Sequence, residues 1–169
     1  QRALMPEAPP EVDGIRFAWR YEPCDELAGD ILDVVQLPDG SLAMYLLDVS
    51  GHGVPSALLS VSLSRLLSHL GEDSMLVDRS DSGTARPVAP EAVASRLNDR
   101  FPMDPRTRQY FTLAYAVLDP ATRELRYVAA AHPGPIRIGA DGSHEQHPPS
   151  GLAIGWFPHA QYPEHPPPP

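Results

Sequence analysis

The sequence predicts an α+β domain on three observations. Strand-like stretches fold back through short turns, two consecutive segments in the middle carry a helical period, and the connections are too short for parallel crossovers. A chain of 169 residues suits one domain with one core. From Ile15 the residues alternate as Ile15, Phe17, Trp19 and Tyr21 against Arg16, Ala18 and Arg20, the period-two pattern of a half-buried strand. Segments 31–37 and 42–47 follow as strands. Pro38-Asp39-Gly40 joins them as a hairpin turn, with proline presetting one dihedral and glycine supplying another.

From Pro55 to Leu70 the spacing becomes helical, with Leu59, Leu63, Leu66, Leu67 and Leu70 on one side and Ser56, Ser60, Ser64 and Ser68 on another. Residues 71–88 are polar and show neither period, which predicts a long mobile loop. A second helix is expected from Pro90 to about Phe101, ending before Pro102. Strands over 110–118 and 125–131, joined through Asp119-Pro120-Ala121-Thr122, predict a second hairpin, and Ile136 to Ile138 leads through Asp141-Gly142 to a last apolar segment with Leu152, Ile154 and Trp156. Segment 1–13, rich in proline and opening without a start methionine, reads as the lead-in from an upstream region. The folded domain is expected over 14–158 and a proline-rich tail over 159–169.

Composition narrows the function classes. Thirteen Lys+Arg face 22 Asp+Glu, giving a net charge of -9. Nucleic acid and anionic membranes draw on an excess of basic residues that this chain lacks. A carboxylate cluster or a basic protein partner is the better fit. The single cysteine, Cys24, makes neither an intrachain disulfide nor a zinc site alone, and with no adjacent base it reads as an unreactive thiol in a reducing compartment, the cytoplasm. No apolar run approaches the ~20 residues of a membrane helix.

Two acidic segments sit at strand boundaries among glycines. One is Ala28-Gly29-Asp30-Ile31-Leu32-Asp33; the other is Leu47-Asp48-Val49-Ser50-Gly51-His52-Gly53-Val54-Pro55. If the hairpin pairs its strands, Asp30 and Asp48 fall at the same end of the sheet. Two carboxylates about 4 Å apart repel by roughly 4 kcal/mol at an effective dielectric near 20, so such a pair wants a cation. Carboxylate and carbonyl oxygens are hard ligands suited to Mg²⁺ or Mn²⁺, and the chemistry that follows is metal-assisted hydrolysis of a phosphate ester. On the residues alone, Gly29-Asp30 also reads as a turn and Asp48 as a cap for the next helix. A glycine-rich turn into a helix also cradles phosphates, but the lysine of the nucleotide-binding loop is absent.

Together these segments resemble the SpoIIE/RsbU-type branch of the metal-dependent PPM (PP2C-like) protein serine/threonine phosphatases. Ala-Gly-Asp-Ile-Leu-Asp-Val is similar to the family's first acidic motif, with Ala28 in place of a glycine. Leu-Pro-Asp-Gly-Ser-Leu-Ala-Met-Tyr-Leu-Leu-Asp-Val-Ser-Gly-His-Gly-Val-Pro-Ser-Ala-Leu-Leu is the strongest match. Phe-Thr-Leu-Ala-Tyr-Ala-Val-Leu-Asp-Pro-Ala-Thr, Tyr-Val-Ala-Ala-Ala-His-Pro-Gly-Pro and Gly-Leu-Ala-Ile-Gly-Trp-Phe follow in the family's order.

The resemblance implies a PP2C-like αββα sandwich of two mainly antiparallel sheets flanked by helices, with a binuclear Mn²⁺ or Mg²⁺ site at one edge. Carried over, Asp48 bridges both metals, the Val49 carbonyl binds one, and Asp30 ligates directly or through water. A metal-bridging hydroxide then attacks phosphorus in line, and the serine or threonine leaves. The implied substrate is a phosphorylated regulatory protein, an anti-sigma-factor antagonist of the STAS type, and the implied upstream neighbour is a sensor or receiver domain whose signal moves the helix behind Asp48. The family continues with a further strand and a Thr-Asp-Gly motif holding another metal-binding Asp, which this sequence does not contain. Only the first half of the cluster is therefore expected here, with a weak second metal site. The alternative is a weak or inactive phosphatase-like module that binds a phosphoprotein or partner domain.

Other candidates are read as structural. Asp33 is expected to orient its neighbours, His52 to serve the helix start, and His132 to pack in a strand-ending turn. Arg16 and Arg20 form a solvated face, and His144, His147, His159 and His165 have no spacing that suggests a metal.

Overall fold

The computed structural model describes residues 6, 8–22, 29–68, 73–79 and 85–165. Expectations that fall on Gln1 to Met5, Cys24, Ala28, Leu70 and Pro166 to Pro169 lie outside these residues. The α+β class and the antiparallel pairing are both found. A four-stranded antiparallel sheet is formed by β1 (Ile31–Gln36), β2 (Leu42–Val49), β5 (Phe111–Leu118) and β6 (Leu125–Ala130), in the order β1-β2-β5-β6. Helix α1 (Val54–Leu66) packs over β2, and helix α2 (Pro90–Arg100) packs over β5 and β6.

Pairing is continuous from Ile31↔Leu47 through Leu47↔Leu113 to Leu113↔Ala130. Each row of four points to one face, because side chains alternate along a strand. The rows through Ile31, Asp33 and Val35 carry Leu47, Tyr45, Leu113, Tyr115, Val117 and Val128 into one core with Leu63, Leu67, Val93, Ala94 and Leu97 of the helices. The intervening rows, with Leu32, Val34, Met44, Leu46, Ala114 and Ala116, form the opposite face. Leu46 there is 49% exposed. Phe17 and Trp19 border a groove of about 570 Å³ along that face. Segment 15–21 alternates in burial as expected but forms no ladder; its pairing is limited to the bridge Val12↔Ile15.

Two local features differ from the sequence reading. Within the expected loop, the described residues are not loose: β3 (Val77–Arg79) pairs with β4 (Ala85–Pro87), and Leu76, Val77 and Val88 are buried in the core. Three apolar anchors and the ion pair from Arg96 to Asp78, 2.7 Å, hold this hairpin against α2. In α1 Ser56 and Ser60 are as buried as Leu63, in line with small side chains allowing close approach, while Leu58 is exposed. Residues 136–146 form a ribbon of β7 (Ile136–Ile138) and β8 (His144–Gln146), the second strand of which the sequence did not suggest.

Candidate functional site

The two acidic motifs meet at one end of the sheet. One step beyond Ile31↔Leu47, the register sets Asp30 opposite Asp48, and Asp48 is itself paired with Thr112 on β5. By alternation all three project from the face that carries Leu32 and Leu46, away from the helices. The carboxyls of Asp30 and Asp48 are close enough to hydrogen-bond to each other.

Backbone packing explains why glycine precedes Asp30. A Cβ on Gly29 would lie 2.4 Å from the Val49 carbonyl oxygen and 3.0 Å from the Val49 Cβ, so only glycine lets the strands close at this end. Behind it, the hydroxyl of buried Ser60 reaches the Gly29 carbonyl oxygen at 2.7 Å and the Ser56 carbonyl oxygen at 2.9 Å. Helix α1 thus touches the residue next to Asp30. On the other strand, Ser50 extends the β2–β5 pairing: its N–H donates to Tyr110 O at 2.9 Å, and its Oγ accepts from Tyr110 N at 2.9 Å. Gly51 and Gly53 then take φ of 88° and 82°, the left-handed conformations that turn the chain into α1. The N-cap of α1 is Gly53 with no side-chain cap bond, so Asp48 does not cap the helix.

Electrostatics single out Asp30. Partial desolvation of its carboxyl, followed by the charge of Asp48 and the hydrogen bond between the two groups, raises its pKa above the ordinary 3.8. The donor chemistry of two crowded carboxylates fits a hard dication, which would relieve that repulsion. Among the described residues no group of three or more His, Cys, Asp or Glu side chains gathers at metal-binding spacing.

Asp33 does not join the pair. It shares its row with Tyr45 and Tyr115 on the helix face, where its charge adds to burial in raising the Tyr45 pKa. His52 is exposed in the loop ahead of α1, and Arg20 pairs with Glu22 at the surface. His132, expected to pack in a strand-ending turn, comes close to the pair. Its Nδ1 lies 2.8 Å from Thr112 Oγ1, which places the ring in the acidic row's immediate neighbourhood. Burial lowers its pKa from 6.5, and the charge of Asp48 opposes that shift. Its nearness to Asp48 is not visible locally, because the two positions lie 84 apart in the chain.

Comparison with known proteins agrees with this arrangement. Residues 38–167 match the family described as Stage II sporulation protein E (SpoIIE). The phosphoserine phosphatase RsbP of Bacillus subtilis (strain 168) is 27% identical over 144 residues, which cover 83% of this chain and 34% of that protein. The chain thus spans about a third of the length of this curated relative. Among solved structures, the RsbU and RsbW domains of Rv1364c from Mycobacterium tuberculosis align with a TM-score of 0.56 at 25% identity, over 82% of this chain and 35% of that one. The SiaA-PP2C domain of Pseudomonas aeruginosa aligns with a TM-score of 0.56 at 17% identity, over 85% of this chain and 52% of that one, and shares the fold. So does RsbX, solved in complex with magnesium, with a TM-score of 0.52 at 17% identity, over 82% of this chain and 59% of that one.

Proposed function

The chain belongs to the SpoIIE family of PP2C-like phosphatase domains, and from that premise we propose that it hydrolyses phosphoserine or phosphothreonine in a protein that regulates a sigma factor. The observation that carries the reading is the convergence of Asp30 and Asp48, two carboxyls set side by side at the end of a sheet. The description of RsbP as a phosphoserine phosphatase supports the reaction class. The magnesium complex of RsbX supports a divalent metal for the fold.

Mn²⁺ or Mg²⁺ would be held by the carboxylates of Asp30 and Asp48 and the carbonyl of Val49. When bound, such an ion neutralises charge on a phosphoryl group and makes water a better nucleophile near neutral pH. The chain's own contribution is positional. The β1–β2 register sets the spacing of the acids, Gly29 lets the strands close, and Ser60 ties the segment before Asp30 to α1. The substrate is proposed to be a phosphorylated STAS-type antagonist, presented to a domain governed by an upstream sensor or receiver.

A second reading keeps the phosphoprotein and drops the hydrolysis. It is favoured by the lack, among the described residues, of a third His, Cys, Asp or Glu side chain near the pair. Release of phosphate from a phosphoserine protein, measured with and without Mn²⁺, separates the two. Under the enzyme reading, Asp48→Ala lowers turnover by at least about 100-fold, the upper end of the loss seen for groups that only support metal ligands. Metal-independent turnover, or an Asp48→Ala variant as active as the parent, overturns it. Binding of the phosphoprotein by a chain inert with every divalent metal establishes the second reading.

A further inference from the structure

We infer that His132 contacts the phosphoryl group, donating its Nε2–H to an oxygen of the phosphate ester held beside Asp30 and Asp48; the inference rests on the phosphatase reading above. Asp48 faces Thr112 across β2 and β5, and Thr112 Oγ1 lies 2.8 Å from His132 Nδ1. The imidazole therefore stands one side chain away from Asp48, on the face from which both acids project. Chain geometry brings it there. Strand β6 ends at Ala130, and Ala131 takes a left-handed φ of 50° while its N–H donates to Gly151 O at 3.2 Å, so the next residue turns back toward β5. The half-buried ring borders the groove along the open sheet face.

The contact with Thr112 occupies Nδ1 and leaves Nε2 as the ring nitrogen that can face a ligand. The threonine hydroxyl carries a proton that needs an acceptor, and Nδ1 of a neutral imidazole is one. When the hydroxyl donates to Nδ1 the ring proton sits on Nε2, and this is the tautomer the inference assigns. Burial favours the neutral ring by lowering the His132 pKa. A fixed neutral donor beside a site for a dication is suited to the anionic oxygens of a phosphate ester, which are stronger acceptors than water or carbonyls. It also adds no positive charge that would compete with metal binding by the neighbouring acids.

The test uses the whole chain, with inorganic phosphate as probe and Mg²⁺ as the diamagnetic ion. Long-range ¹⁵N–¹H spectra of the imidazoles are expected to show His132 protonated at Nε2 and to shift on addition of phosphate. Thr112→Val should mix the tautomers and weaken that response. In turnover of a phosphoserine protein, His132→Gln places an amide N–H near the Nε2 position and should retain kcat/KM within about threefold. His132→Asn reaches only the Nδ1 position and should lose about 10- to 100-fold, the range of one hydrogen bond to a charged group. A His132 spectrum indifferent to phosphate overturns the inference, as do Gln and Asn variants of unchanged melting temperature that behave alike. If Asp48→Ala is inactive while both His132 variants are fully active, His132 fails and the phosphatase reading stands. If Asp48→Ala keeps full turnover, that reading fails, and the phosphate spectrum of the parent chain still decides His132.

Discussion

Asp30 holds its proton more tightly in the folded chain than in the unfolded one, because partial desolvation and the carboxyl of Asp48 both disfavour its charge. Between the ordinary value of 3.8 and the raised one, the native state binds more protons. Stability therefore falls as pH rises through that window and stays lower above it. For the metal-free chain, Asp30→Asn should raise the melting temperature at pH 7 by about 2 °C, since a partly exposed charge pair is worth roughly 0.5–1 kcal/mol and a domain of this size shifts about 2–4 °C per kcal/mol. Near pH 3 the gain should vanish. Thermal melts at the two pH values check this, and an equal gain at both contradicts it. Gly29→Ala should act in the other direction, costing about 1–3 kcal/mol by forcing a methyl against the Val49 carbonyl. Both acids were legible because each is flagged by glycines at a strand end and the hairpin between them has an obvious turn. The nearness of His132 to them was not, since it depends on β5 and β6 lying side by side, which no local spacing encodes.

The strands and helices of the main layer were legible for a related reason. Their periods of two and of three to four run long enough to exceed the noise of individual residues. The hairpin over 77–87 failed that test: its strands have three residues each, and Leu76 and Val88 lie just outside them. In α1 Ser56 and Ser60 are buried because small side chains let the helix approach the strand ends; their hydroxyls are satisfied by backbone carbonyls. The segment after β8 carries no period at all and is fixed by one side chain of α2. Asn98, 3% exposed, accepts from Gly155 N and Tyr162 OH at 2.8 Å each and donates to Phe157 O at 3.0 Å. Asn98→Ala leaves the buried Gly155 N–H and Tyr162 hydroxyl unpartnered and should lower the melting temperature by about 5–10 °C, reflecting roughly 2–3 kcal/mol. A change under 1 °C in a calorimetric scan would mean that water replaces all three bonds.

At the scale of the molecule, the acids stand at the end of an apolar sheet face whose described neighbours are Phe17, Trp19 and the ribbon that begins at Ile136. The helices bury the other face, so the core and the site lie on opposite sides of one sheet and share only its backbone. This separation lets a charged pair persist without a buried partner, at the cost of ligands from only two strand ends. A chain of net charge -9 also repels a phosphate dianion, and a cation at the pair reverses that field locally. With Asp30 and Asp48 as its acidic donors, the chain should take up one Mn²⁺ in isothermal titration, and Asp48→Ala should abolish the uptake. Binding must also stabilise the fold: at ten times the dissociation constant, one ion contributes about 1.4 kcal/mol, a rise of about 3–5 °C in melting temperature. Asp30→Asn should lose most of that rise while keeping its gain in the metal-free protein. Uptake of two ions of similar affinity would require carboxylates beyond this pair and would refute the one-ion site. A melting temperature indifferent to Mn²⁺ in the parent chain would separate the acidic pair from metal binding altogether.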